Sequence, residues 1–317
     1  MKNKKTILAI IILGIIINIL TIFWAPTENN MLKKVVICIV VNIILLFFMK
    51  FVEYFVSFGK EVIGNHKLIR RLAKNDFKTK FAGSYLGIIW AFVQPVVTVL
   101  VYWFVFQVGL RSGNVGEFPF VLWLVAGLVP WFFFSDALNS GTNALLEYNY
   151  LVKKVVFKIT IIPVVKVISA MFVHAFFAMF TLLLYALYGY LPDLYTLQVL
   201  YYSFCIFIFV LGLSYMTSAI VVFFRDLTQI INIILQVGVW MTPIMWNLSM
   251  VPARFLWIFK LNPMYYIVAG YRSALIDKTW FWETYYLTGY FWAVTLAMFG
   301  VGVLLFKRLK VHFADVL

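Results

Sequence analysis

The sequence predicts an all-α polytopic membrane protein. Three observations carry that expectation. Of its 317 residues, 64% are hydrophobic and only 12% charged, too few polar side chains to clothe a soluble domain of this length. Mean hydropathy is +0.98. The apolar residues fall into runs close to the roughly 20 that a bilayer crossing needs, separated by basic clusters.

Eight spans are expected, at about 6–25, 35–57, 84–108, 118–138, 162–188, 198–223, 228–247 and 284–306. The start, MKNKK followed by an apolar run, has the layout of a signal peptide. The run is long and no small-x-small cleavage site precedes WAPTENN, so it reads as a retained first helix. Lys50 and Glu53 interrupt the second run, and Ser135 and Asp136 are expected to end the fourth. Lys and Arg set the orientation. With the N-terminus in the cytoplasm, Lys2, Lys4, Lys5, the cluster from Lys60 to Lys80, Lys153, Lys154, Lys158, Arg225, Lys307, Arg308 and Lys310 fall inside. Only Lys33, Lys34, Arg111, Arg254, Lys260, Arg272 and Lys278 fall outside. Both termini then lie on the cytoplasmic side of a bacterial inner membrane.

Residues 68–81 bear Leu68, Ile69, Leu72, Ala73, Phe77 and Phe81 at helical spacing, with Arg70, Arg71, Lys74, Lys78 and Lys80 largely off that stripe. This is the pattern of an amphipathic helix on a membrane surface, within 61–82, whose basic residues can reach head groups or a substrate phosphate. A plain basic flank of a span would carry the same charges. The loop 139–161 is long enough for a short helix. Ala144, Leu145, Tyr148, Leu151 and Val155 make a partial stripe beside Glu147, Lys153, Lys154 and Lys158. It suits docking to a soluble partner or serves as an ordinary connection before Pro163 opens the next span. Arg225 and Asp226 stand between spans six and seven, where they can pair, cap a helix or simply make a tight turn. Residues 248–283 are too apolar for a solvent loop, yet Asn262-Pro263 breaks them. Two short helices dipping into the outer leaflet, or two further spans, would both preserve parity. Arg254, Lys260 and Arg272 are expected near the outer head groups.

Several chemistries are missing. No GxxxxGK[ST] loop is present, so this chain is not expected to hydrolyse ATP. No HExxH or Cys/His spacing suggests a metal or catalytic centre. Cys38 and Cys205 read as small buried thiols and His174 as a packed polar contact inside a span. Acids and bases are scarce in the spans, Lys166 near an inner edge excepted, which counts against ion-coupled transport. The net charge of +14 lies beside apolar spans rather than on a soluble face, so nucleic acid is not an expected partner. Aromatics make up 20% of the chain. Most belong to interfacial belts and packing, as Trp131, Phe132, Phe133, Phe134, Tyr185, Tyr188 and Tyr190 could. Tyr102 and Phe106, four apart on one face, are candidates for lining a path along which a sugar polymer slides.

The stretches RLAKNDFKTKFAGSYLGIIWAFVQP, YWFVFQVGLRSG, PFVLWLVAGLVPWFFFSDAL, FFRDLTQIINIILQVGVWMTPIMW, KLNPMYYIVAGYRSAL and HFADVL complete the picture. Over about residues 66–317 the chain resembles the transmembrane subunit of ABC-2-type exporters of cell-surface polysaccharides, in look most like teichoic acid translocation permeases. The resemblance implies a type V exporter-like domain of six core helices, spans three to eight, behind an amphipathic interface helix. It implies a homodimer working with two nucleotide-binding ATPase subunits, which hold the ATP and Mg2+; this chain needs no cofactor. It maps a coupling helix onto about 142–158, with Glu147, Lys153 and Lys154, and a second contact facing the ATPase onto the turn at Arg225 and Asp226. It favours outer re-entrant helices over 250–278. The substrate would be a polymer on a polyprenyl pyrophosphate, its head group met by Arg70, Arg71 and Lys74. Residues 1–60 depart from the pattern by adding two helices. Teichoic acid, O-antigen-like and capsule-type polymers all stay open, as do two other classes: an ABC-2 permease for a smaller lipid or drug, and a non-transporting membrane scaffold.

Overall fold

The computed structural model describes residues 52–317 apart from 81, 112 and 154–157, with ten scattered positions between 11 and 49. Most of the expected first span and about half of the second lie outside the described residues, as do Phe81, Val155 and Lys154. Every regular element among the described residues is helical apart from an isolated bridge between Val115 and Phe118.

Helix α1 (Val52–Gly64) is followed after one residue by α2 (His66–Thr79). The chain breaks at Asn65, whose side-chain amide donates back to the Glu61 carbonyl. Residues 61–64 therefore end α1 rather than begin the amphipathic helix. Next comes α3 (Trp90–Trp103), continued by a π-helical turn at Phe104–Gly109. Helix α4 (Phe120–Thr142) returns to the α2 end and runs into two single turns, α5 (Ala144–Glu147) and α6 (Asn149–Val152). Helix α7 (Ile162–Leu187) opens with Pro163 in its first turn, where proline's missing N–H costs nothing. Helices α8 (Gln198–Val221) and α9 (Leu227–Met241) follow, then the short α10 (Leu256–Lys260) and α11 (Pro263–Arg272). The long α12 (Tyr285–Leu309) and a final turn, α13 (Phe313–Val316), close the chain.

Five stretches among the described residues are long and apolar enough to cross a bilayer: Gly87–Gly109, Phe120–Thr142, Ile159–Leu187, Leu194–Val221 and Tyr285–Val316. The seventh expected span, 228–247, is shorter than read. Helix α9 has 15 residues, about 22 Å against a hydrocarbon layer of about 30 Å. It ends because Pro243 cannot donate to the helix, and Thr242 turns to extended backbone. The fourth span, in contrast, does not end at Ser135 and Asp136 but continues to Thr142; Asp136 pairs with Lys80, which removes the cost of a lone carboxylate there. Helices α10 and α11, of 5 and 10 residues, are each too short to cross a bilayer.

Helix α4 is the central post. It packs against α7, α8 and α11, and it is buried nearly all round, from Phe120 to Thr142. Trp131, Phe133 and Phe134 are therefore core side chains, and Tyr185 is buried too. Helices α8 and α12 lie against each other at glycine contacts. A Cβ on Gly302 would sit 2.4 Å from the Gly212 carbonyl oxygen, and one on Gly212 would sit 2.7 Å from the Phe299 Cα. Helix α3 and its π-helical continuation by contrast expose a wide apolar face including Val97, Leu100, Val101 and Phe104.

Candidate functional site

At one end of the bundle the sequence builds a buried ion cluster. In α2, Ile69, Ala73 and Asp76 are spaced four and three apart and so share one face, which is the buried one. Asp76 thus occupies a core position on an otherwise apolar stripe. Lys166 enters the same space from the start of α7. Its Nζ donates to Asp76 Oδ1 at 2.6 Å and to Glu147 Oε2, at the end of α5, at 2.5 Å. The Tyr148 hydroxyl donates to the same Asp76 oxygen at 2.9 Å, and the Lys166 ammonium stands 5.1 Å from the Tyr148 ring centre. The Asp76 and Lys166 side chains are each 8% exposed, while that of Glu147 is 52% exposed. Buried charges need such partners, since an unpaired one costs several kcal/mol. Burial, then the charge and hydrogen bond of Asp76, raise the Tyr148 phenol above its ordinary value of 10.0. It therefore stays a hydrogen-bond donor at any physiological pH.

Further bonds tie this end together. Lys80, the residue after α2, pairs with Asp136 of α4. Asn139 of α4 donates to Asn232 of α9 at 2.9 Å, and Thr228 of α9 donates to Asn143 at 2.8 Å. Lys310 donates to Thr160 at 3.1 Å and stands 3.9 Å from Glu61, drawing the end of the chain to α1 and to the entry of α7.

The residues singled out in the sequence take these places. Arg70, Arg71 and Lys74 are exposed on α2, away from Ile69, Ala73 and Asp76. Lys153 is exposed just after α6, at the same end as Glu147. Arg225 and Asp226 lie in the exposed turn between α8 and α9. Asp226 occupies the N-cap position, but its side chain makes no capping bond. The expected helix over 142–158 is two turns, α5 and α6, parted at Tyr148. Tyr102 and Phe106 are half-buried against the body of the chain, and Phe106 lies 5.9 Å from the ring of Phe120. They share a face but belong to the far side of the structure from the ion cluster's surface residues. Among the described residues no group of three or more His, Cys, Asp or Glu could hold a metal ion.

Sequence reasoning missed Asp76, and it noted Lys166 without its partners. The signal was there: a lone acid among five bases, and a lone lysine inside VVKVISAM, one turn past Pro163. Charges in such settings require each other.

The opposite end corrects the reading of Arg272. It does not reach outward from the protein but is 9% exposed, enclosed at the end of α11. Its Nη1 donates to the Pro243 carbonyl at 2.6 Å, Nη2 to that of Ile244 at 2.7 Å and Nε to that of Trp123 at 3.4 Å. The guanidinium lies 3.4 Å from the Trp123 ring centre. Buried backbone carbonyls outside a helix need donors, and Arg272 supplies them to Pro243 and Ile244 in the loop that follows α9. Arg254 and Lys260 are exposed. His174 is a packed polar residue: its Nε2 lies 3.0 Å from both Ser203 Oγ and the Tyr271 hydroxyl.

A bundle of apolar helices with a charged, hydrogen-bonded end and a pair of short helices at the other is the architecture of a polytopic membrane protein. The profile of the ABC-2 type transporter family matches residues 67–276, and the chain belongs to that family. It is 26% identical over 252 residues to the O-antigen export system permease protein RfbA of Klebsiella pneumoniae, covering 78% of this chain and 93% of that one. It is 31% identical over 224 residues to the protein of the same name from Myxococcus xanthus, covering 69% of this chain and 84% of the relative.

Proposed function

We propose that this chain is the permease subunit of an ATP-driven exporter that moves a cell-surface polysaccharide across the bacterial cytoplasmic membrane. The observation that carries the reading is the ion cluster. Lys166 joins α2, α5 and the first turns of α7, so a soluble partner that displaces α5 would act on a membrane-surface helix and a span together. The names of the two relatives support a polysaccharide as cargo. The excess of Lys and Arg supports a cytoplasmic location for the α2 end and for both termini.

In this reading two copies of the chain assemble with two nucleotide-binding subunits, which hold ATP and Mg2+. Glu147, Lys153, Lys154, Arg225 and Asp226 belong to the surface those subunits meet, with Glu147 also fixed from behind by Lys166. Arg70, Arg71 and Lys74 meet the pyrophosphate of a polyprenyl-linked polymer at the inner leaflet, since clustered basic residues there attract anionic groups. ATP-driven closure of the partners shifts α5 and α2, the lipid moves to the outer leaflet and the glycan follows along a path that Tyr102 and Phe106 border. O-antigen-like and teichoic acid polymers both fit this scheme.

The test is affinity purification from native membranes, followed by mass spectrometry and an ATPase assay with lipid-linked glycan. Recovery of a stoichiometric nucleotide-binding subunit whose hydrolysis the glycan stimulates is the expected result. Stimulation by a small lipid or drug alone would replace the polymer with a smaller cargo. Recovery without any ATPase, and no transport defect on deletion, would make the chain a scaffold.

A further inference from the structure

The end of the bundle remote from α2 contains a cavity of about 560 Å³, set between the start of α4, the α11 helix and the loop after α9. That is within the range of about 300–1,000 Å³ typical of small-molecule sites. Its walls are aromatic: Trp123 and Tyr202 from the long helices, Tyr265 and Tyr266 from α11. Trp123, Tyr202 and Tyr266 are buried and their rings are held in place. Tyr202 and Tyr266 rings pack edge-to-face with centres 5.3 Å apart, and the Tyr266 hydroxyl is fixed by Tyr201 at 3.1 Å and Thr288 at 3.0 Å. Tyr265 is only half-buried. Two carboxylates, Glu117 and Asp277, also line the cavity, and both residues are exposed.

The charges define what can enter. Arg272 is the one cation lining the cavity among the described residues. Each of its three nitrogens already donates to a backbone carbonyl, and Trp123 covers the guanidinium. Three of its five N–H groups are thus spent and the guanidinium face is covered, which leaves one N–H on each Nη, whereas the two carboxylates repel a phosphate. Aromatic faces and acceptor carboxylates suit the opposite chemistry, a ring with apolar C–H faces and an edge of hydroxyl donors.

We propose that this cavity is a glycan subsite that takes an uncharged pyranose unit and disfavours a phosphodiester-linked polyol. Tyr265, the half-buried ring of the set, stacks on the sugar, its buried aromatic neighbours form the floor behind it, and Asp277 and Glu117 accept from the sugar hydroxyls. The proposal rests on the polysaccharide-export reading and narrows it, because within the cargoes left open it selects uncharged glycans over teichoic acid-like chains.

The experiment is saturation-transfer NMR on the purified complex in lipid nanodiscs freed of glycoside detergent. The probes are the methyl glycosides of glucose, galactose, mannose and N-acetylglucosamine at millimolar concentration, with glycerol 3-phosphate as the anionic probe. The expected result is transfer to the ring protons of at least one glycoside and markedly less to glycerol 3-phosphate. Tyr265→Ala and Asp277→Asn should each reduce the glycoside signal several-fold. Both positions are outside the packed core, and an unchanged thermal midpoint checks that each variant is folded; Glu117→Gln, on a separate loop, provides a third reading. No transfer to any glycoside, transfer to glycerol 3-phosphate as strong as to the sugars, or glycoside signals unchanged in all three variants would overturn the proposal. Cellular glycan export is scored in parallel. Export that depends on the chain without subsite binding rejects the subsite alone, while loss of the chain without any export defect rejects the parent reading.

Discussion

Lys166 holds two carboxylates with one ammonium, and its removal should be costly in a specific way. Lys166→Met leaves the buried Asp76 carboxylate without its cation, and breaking a buried pair from one side costs about 3–5 kcal/mol. The double variant Asp76→Asn with Lys166→Met should recover much of that loss, because no charge is then stranded. Glu147→Gln should cost about 0–1 kcal/mol, since that side chain is half exposed. Thermal unfolding of the solubilised protein would order the three. A second pair gives a pH test. Asp193 caps the turn Leu194–Leu197 and pairs with Lys278 at 2.9 Å. Partial burial opposes its charge, but the bonds from Lys278 and Thr196 prevail and hold its carboxyl below the usual 3.8. A depressed carboxylate stabilises above its unfolded value and loses that contribution as pH falls through the folded one. The thermal midpoint should therefore drop more steeply below about pH 4 in the parent than in Asp193→Asn. Lys166 was legible as an isolated charge in an apolar run. Its partners were not, because Asp76 lies 90 residues away and is joined only by folding.

Helices were legible from the length of their apolar runs, but their ends were decided by contacts that no local window contains. Helix α4 outlasts Asp136 because Lys80 reaches it from another element. The break at Tyr148 lies where its hydroxyl is drawn to Asp76. Helix α9 stops at a proline that was visible, but the arginine that accepts the consequences comes from α11. The crossing of α8 and α12 yields a paired prediction. Gly302→Ala meets a backbone oxygen that cannot move aside, and overpacking of this kind costs about 1–3 kcal/mol. Gly289→Ala, on the same helix, has nothing within 4 Å of its new Cβ and should stabilise by up to about 1 kcal/mol through helix propensity. Opposite signs from one substitution on one helix, read as shifts in thermal midpoint, would establish the close approach; equal effects would refute it.

Across the whole molecule, the exposed basic face of α2 and the aromatic cavity lie at opposite ends. That polarity bears on the proposed export. Each basic residue at an anionic surface contributes about 1 kcal/mol, so Arg70→Ala with Arg71→Ala should weaken head-group capture by about 2 kcal/mol, roughly 30-fold. Export in cells should fall while dimer and ATPase assembly, seen on size exclusion, stay intact. Normal export in that variant would remove the head-group role. The basic face was readable from charge alone, since helical spacing sorts it from Ile69 and Ala73. The aromatic cavity was not, because its walls come from α4, α8 and α11, and abundance of aromatics does not reveal which rings share a void.

The three-way junction at Lys166 also has a mechanical meaning. In the proposed exporter, a single ammonium shared by two carboxylates would act as a rivet rather than a hinge: torque on α5 would reach α2 and the root of α7 at the same instant, with little slack. Loosening it should make a machine that idles. In Lys166→Met or Asp76→Asn, ATP would still be consumed, but fewer strokes would end in a delivered polymer, and the ratio of polymer exported to ATP hydrolysed would fall before hydrolysis itself does.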